Sequence, residues 1–318
     1  MNPDTIQTGT WWMWLIFFII IAAMIFIDLF LFSGGRSHRV SKKESLAWTL
    51  IWFVMAIGFN FLYWVYVKEV HGISIANIKA TEFFTGYLIE KSLSLDNIFV
   101  IAMIFNYFAI PKEYQRRVLM YGVMGAIVMR LILITVGLLL ITKFAWILYL
   151  FGLFLLITGI RMFFFSDQKP DLENNPILLW MKKHLSITHT LHAEKFTIRQ
   201  NKLLYFTPLF LVLILIEVSD LIFAVDSIPA IFAITNDPFI VFTSNIFAIL
   251  GLRALYFLFA DMNEQFHYLK YGLALILILI GLKMLLHPWI TIPVLVNLGM
   301  IVFILVISIV ASIYRENA

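Results

Sequence analysis

Apolar runs close to the twenty residues that carry a helix across a bilayer recur along most of this chain, and they leave few folds open to it. Of the 318 residues, 62% are hydrophobic and only 13% charged, more apolar surface than a soluble domain can hide. Taking each run near bilayer length predicts about nine helices, at 11–32, 45–66, 80–109, 117–141, 144–165, 204–234, 238–260, 268–287 and 292–314. The fold class expected is an all-α polytopic membrane helix bundle, a single transmembrane domain over residues 1–318. The first run is too long for the apolar part of a signal peptide and lacks a basic flank, so it reads as a retained helix. There is no cysteine, which excludes disulfides, thiolate metal sites and cysteine nucleophiles.

Loop charge predicts an orientation. Arg36, Arg39, Lys42, Lys43, Lys112, Arg116, Arg117, Lys182, Lys183, Lys195, Arg199 and Lys202 cluster on one side, with Arg161, Lys169, Lys270 and Arg315. Only Lys68, Lys79, Lys143 and Lys283 fall on the other, which places the N-terminus outside and the C-terminus in the cytoplasm. The net charge of +4 therefore belongs to loops facing lipid headgroups, and no nucleic-acid face is expected. The long cytoplasmic loop at 166–203 holds His184, His189, His192 and Glu194; His189-x-x-His192-x-Glu194 has a loosely ligand-like spacing, but a solvated surface is the plainer reading.

Two acidic stretches interrupt the apolar pattern: Glu90-Lys-Ser-Leu-Ser-Leu-Asp96-Asn97 and Glu217-Val-Ser-Asp220-Leu-Ile-Phe-Ala-Val-Asp226-Ser227. A charged side chain at the centre of a bilayer costs roughly 2.5–3.5 kcal/mol on insertion scales, so such groups are read as pathway or binding groups. Aligned on Asp96-Asn97-Ile and Asp226-Ser227-Ile, Glu90 falls opposite Asp220. Met129-Arg130-Leu131 then pairs with Leu252-Arg253-Ala254, and Thr158-Gly159-Ile160-Arg161-Met162 with Ile280-Gly281-Leu282-Lys283-Met284. Two three-helix units, 80–165 and 204–287, are thus expected to repeat. Three being odd, the second runs the opposite way through the membrane, a pattern of secondary transporters with a midplane site at the repeat interface.

Glu217 and Asp220 share a helix face that Ser227 continues, whereas Asp226 lies on the opposite side of an ideal helix. Pro229 has no N–H to give the Val225 carbonyl, so unwinding of the sixth span is expected to bring both sides to one cavity. The third span, with Glu90 and Asn97 on one face, is long enough to be tilted or broken. The inventory of Glu90, Asp96, Asn97, Glu217, Asp220, Asp226 and Ser227 is all oxygen, and suits Mg²⁺, Ca²⁺ or Mn²⁺ rather than Zn²⁺ or Cu⁺. Lys91, Arg130 and Arg253 are expected to pair with these acids and keep the empty site folded; the static alternative is that such ion pairs are structural glue throughout. Asp28 reads as an interfacial residue, Asn60 and Asn245 as interhelical hydrogen-bonders, and Trp11, Trp12 and Trp14 as an interfacial belt. No Gly-x-x-x-x-Gly-Lys-[Ser/Thr] phosphate loop and no Gly-x-Gly-Asp motif occurs, so neither ATP hydrolysis, intramembrane proteolysis nor any other enzyme activity is expected, and no cofactor.

Four segments carry a resemblance over nearly the whole chain: Thr85-Gly-Tyr-Leu-Ile-Glu-Lys-Ser-Leu-Ser-Leu-Asp-Asn97, Gln115-Arg-Arg-Val-Leu-Met-Tyr-Gly122, Glu217-Val-Ser-Asp-Leu-Ile-Phe-Ala-Val-Asp-Ser-Ile-Pro-Ala-Ile-Phe-Ala233 and Thr243-Ser-Asn-Ile-Phe-Ala-Ile-Leu-Gly-Leu-Arg253. They resemble the TerC family, in particular its Alx-like members. The resemblance implies a bacterial inner-membrane protein that exports Mn²⁺, with the family's membrane acids falling on Glu90, Asp96, Glu217, Asp220 and Asp226. The residues alone point to a divalent cation; manganese and the outward direction come from the resemblance.

Overall fold

The computed structural model describes residues 8–30, 42–144, 146–165, 172–173, 175–188, 190–200, 203–259, 268–286, 289 and 292–316, with Asp28 and Asp96 described by their backbone alone. Arg36, Arg39, Lys169, His189 and Lys202 lie outside the described residues, and so do residues 166–171 at the start of the 166–203 segment.

In a bilayer each backbone N–H and C=O needs a partner within the protein, so apolar runs become helices. The chain forms α1 (Trp11–Phe30), α2 (Lys42–His71), α3 (Ile73–Tyr107), α4 (Lys112–Lys143) and α5 (Ile147–Phe165). After a short helix α6 (Pro176–His184) and an antiparallel hairpin of β1 (Thr197–Gln200) and β2 (Leu203–Phe206) come α7 (Pro208–Phe232), α8 (Pro238–Leu250), α9 (Leu252–Phe259), α10 (Leu269–Leu286) and α11 (Val294–Glu316). Among the described residues, six helices are by themselves long and apolar enough to cross a membrane, and the bent pair α8–α9 makes a seventh. The two remaining expected spans answer to α1, whose apolar stretch is the shorter Trp11–Ile27, and to α3. The latter carries Lys79, Glu82, Glu90, Lys91 and Asp96 along its 35 residues.

The expected unwinding of the sixth span is corrected: α7 runs unbroken through Glu217 and Asp226, and α3, expected to be tilted or broken, runs unbroken through Glu90 and Asn97. Pro229 falls in the last turn of α7, where few hydrogen bonds remain to be lost, and the chain closes with Ala233 N donating to Pro229 O at 3.1 Å. The break lies instead between α8 and α9, which meet at Gly251 with a bend of 41°. The 166–203 segment is also more than a loop. Asn175 caps α6, its Oδ1 accepting from Ile177 N and Leu178 N at 3.0 and 3.2 Å, with Pro176 at the first helical position.

Gly72 joins α2 to α3 at φ 90°, a conformation that side chains rarely adopt. From there α3 lies against α2, α7 and α8, α4 against α7 and α8, and α5 against α10. The α5–α10 contact is close because both helices present glycine: a Cβ on Gly159 would sit 2.9 Å from Ala274 O, and one on Gly281 would sit 2.7 Å from Gly152 O. Residues 239–250 of α8 are all buried, so this short helix is the centre of the bundle. Around it, α1, α2, α4, α5 and α11 turn large apolar side chains outward, among them Leu15, Phe61, Ile132, Ile157 and Phe303, a surface matched to lipid.

Candidate functional site

Glu90, Ser94 and Asn97 recur at four and three residues along α3 and share the face turned to α7 and α8, while Asp220 and Ser227 do the same on α7. The guanidinium of Arg130, from the middle of α4, enters between them with 1% of its surface exposed. Its Nη1 donates to Glu90 Oε1, to Ser227 Oγ at 3.3 Å and to Asn245 Oδ1 at 3.2 Å. Its Nη2 and Nε reach Asp220 Oδ1 and Oδ2 at 3.2 and 3.5 Å, the fork that guanidinium makes with a carboxylate. Asn245, from the buried helix α8, closes the ring by donating Nδ2 to Glu90 Oε2 at 3.0 Å. Asn97 donates Nδ2 to Asp220 Oδ1 at 3.0 Å.

Arg130 and the Arg253 that lines the cavity beside Asp220 stand against Glu90, Asp220 and Asp226, so the acids gathered here outnumber the cations. Isolated charges in low dielectric are strongly disfavoured, so the surplus demands either protons or a further cation. A cavity of about 50 Å³ adjoins the hub, lined by Glu90, Ser94, Asn97, Arg130, Thr158, Asp226 and Ser227 together with apolar residues of α5, α7 and α10. It brings Asp226 to the same space as Glu90, with Thr158 of α5 on the same wall. A second cavity of about 20 Å³ lies on the other side of Asn97, between Ile101, Leu119, Ser219, Asp220, Leu252 and Arg253.

Of the expected site residues, Glu90, Asn97, Asp220, Asp226 and Ser227 are thus gathered around the two cavities. Glu217 is not. Because α7 stays helical, Glu217 faces α4, where its carboxylate rests on Gly125; a Cβ there would lie 2.0 Å from Glu217 Oε1. Asp96 belongs to the same turn of α3, with its side chain outside the described residues. Among the described residues, no three Asp, Glu, His or Cys side chains converge as a ready ligand set, and the physical reason is visible: Arg130 occupies the space between Glu90 and Asp220.

The expected counter-ions divide. Arg130 is the hub rather than a peripheral support. Lys91 also serves as a helix-end donor, its Nζ reaching Ala248 O, near the C-terminal end of α8, at 3.1 Å. Arg253, 1% exposed, lines the smaller cavity beside Asp220. Asn60 bonds across helices as expected, to Ala80 O at 3.1 Å, but Asn245 proves to be part of the site. The 166–203 segment forms no ligand cluster among the described residues, Glu194 pairing with Arg117 at 3.3 Å and His192 Nδ1 lying 3.0 Å from its neighbour Thr190 O.

A mostly helical bundle with helices long and apolar enough to cross a membrane agrees with the comparisons with known proteins. The family model described as the integral membrane protein TerC family matches residues 75–318. The chain belongs to that family. It is 50% identical over 304 residues to the "Putative membrane-bound redox modulator Alx" of Shigella flexneri and to that of Escherichia coli (strain K12), covering 96% of this chain and 95% of each relative. The protein of the same description from Photorhabdus laumondii is 48% identical over 308 residues, with 97% of this chain and 96% of the relative covered. No solved structure matches. This TerC-family chain is therefore an integral, multi-pass membrane protein of a bacterial family.

Proposed function

We propose that this chain is a secondary transporter that exports a divalent cation, Mn²⁺, from the cytoplasm through the carboxylate site between α3 and α7. The observation that carries the reading is the pairing of an acid surplus with space: Glu90 and Asp226 face one cavity together with the oxygens of Ser94, Asn97, Thr158 and Ser227, an all-oxygen set suited to a hard cation. Asp96 and Glu217 are the remaining members of the proposed set, and metal arrival requires Arg130 to yield part of its hold on Glu90 and Asp220. The inverted repeat of 80–165 and 204–287 is part of this reading; α3 and α4 of the first unit pack against both α7 and α8 of the second, and α5 packs against α10. In this reading about nine spans place the chain in the bacterial inner membrane, N-terminus outside and C-terminus cytoplasmic.

Moving a doubly charged ion outward against an inside-negative potential costs about 4.6 kcal/mol per 100 mV, and exchange for protons taken up by the same carboxylates would offset it. The names of the relatives speak of redox. This chain contains no cysteine, so an effect on redox state would act through the ions it moves and not through thiols of its own. The test is cellular manganese by elemental analysis in cells lacking their own exporter, with excess Mn²⁺ supplied, expressing this chain or its Asp226→Asn form at matched membrane levels. Lower manganese with the wild type alone supports the reading. Equal lowering by both removes the carboxylates from the pathway, and no lowering by either favours a broader cation range, Ca²⁺ included, or a membrane scaffold held together by static ion pairs.

A further inference from the structure

The two cavities are stacked along the same helices. The larger one touches 90–97 of α3 and 223–227 of α7, the smaller one 97–101 of α3 and 216–220 of α7. Since the shift is about seven residues on α7, their centres are offset by about 10 Å along the bundle, at 1.5 Å per residue. The smaller cavity lies toward the end where α3 finishes and α4 and α7 begin. Asn97 lines both, and the layer between them is made of Asn97, Asp220 and Arg130, hydrogen-bonded from α3 to α7 to α4.

A carboxylate only accepts, so the Asn97 amide must turn its nitrogen to Asp220. Its Oδ1 then faces away, buried, and meets no donor in a side chain only 3% exposed. A buried acceptor left open is costly, and this one sits between two spaces that hold carboxylates. Resting on the transport reading above, we infer that Asn97 is the gate between the two cavities: its amide, latched to Asp220, closes the passage, and its free oxygen is the ligand that passes a hard cation from one cavity to the other. Releasing the Asn97–Asp220 bond opens the layer, and the cation replaces the lost donor at Asp220 while the amide oxygen takes the cation.

The chain has no cysteine, so single thiols can be placed without background. Ser219→Cys puts one in the smaller cavity and Ser94→Cys one in the larger, each probed with Ag⁺ from either face of sealed vesicles and read as loss of alkylation after denaturation. The expectation is that Ser219→Cys is blocked from one face only and that Ser94→Cys is protected from that face. Adding Asn97→Ala, or Asn97→Ser should the alanine form fail to insert, makes Ser94→Cys react from that face about tenfold faster or more, the factor expected for losing one hydrogen bond to a charged group. Asn97→Leu, which fills the space without an oxygen, keeps Ser94→Cys protected but abolishes Mn²⁺ flux. The inference is overturned if Ser94→Cys reacts equally from both faces with Asn97 intact, if it stays protected after Asn97→Ala and Asn97→Ser, or if Asn97→Leu carries Mn²⁺ at the wild-type rate. Should the wild type move no Mn²⁺, the transport reading falls, while the thiol rates still decide whether Asn97 is the barrier.

Discussion

Two buried polar networks span α3 and α8, and they are built to opposite ends. In the first, Lys79 lies 3.2 Å from Glu82 and 3.9 Å from Asp237, with both acids and the lysine sealed from solvent. Thr235 donates to Glu82 at 2.7 Å, and Thr8 gives Asp237 both its backbone N–H, at 3.0 Å, and its hydroxyl, at 2.8 Å, while touching Tyr63. Phe239 N adds a third hydrogen-bond donor to Asp237 as the cap of α8. The second network, around Arg130, takes its acids from α3 and α7, opens on two cavities and leaves the Asn97 oxygen unanswered. Satisfied groups make a clamp; unsatisfied ones beside empty space make a site.

The sharpest way to break the contrast is Arg130→Leu. Removing one partner of a buried pair strands Glu90 and Asp220 without a counter-charge, with an expected loss of about 3–5 kcal/mol, measured as a collapse of thermal stability in detergent. Lys79→Met strands Glu82 and Asp237 in the same way, but the hydroxyls and amides around them remain. We expect a smaller loss, about 2–3 kcal/mol, with Mn²⁺ handling per surviving molecule unchanged; parallel loss of transport would erase the distinction between clamp and site. Thr8→Ala takes one hydroxyl from the clamp and should cost about 1 kcal/mol, seen as easier proteolysis of the segment before α1. The smallest structural effect is expected at Asp226→Asn, within about 0.5 kcal/mol by thermal unfolding, and there alone function should vanish with stability intact.

Much of this was legible in the residues. Long apolar runs announced the helices, and the charges of Glu90, Asp220 and Arg130, too costly to face lipid, announced that they meet. What the sequence hid was which faces meet. Asp226 and Glu217 were expected in one cavity through an unwound α7, but the helix absorbs Pro229 in its final turn, and so each keeps its own side. The true break at Gly251 carries no proline to mark it, and nothing local to Lys91 reveals that a distant helix ends beside it. Asn245 has the composition of ordinary interhelical glue, and only the packing of α8 against α3 and α4 makes it a member of the ring around Arg130.

Glu90 and Lys91 are neighbours on one rigid helix, yet they serve different clients: Glu90 holds the guanidinium hub, and Lys91 holds the end of α8 at the bend, where a Cβ on Gly251 would come within 2.6 Å of its Nζ. Neither can turn alone. A rotation of α3 that loosened Glu90 would also draw the ammonium away from the Ala248 carbonyl, so the hold on Arg130 and the hold on the end of α8 share one rigid lever.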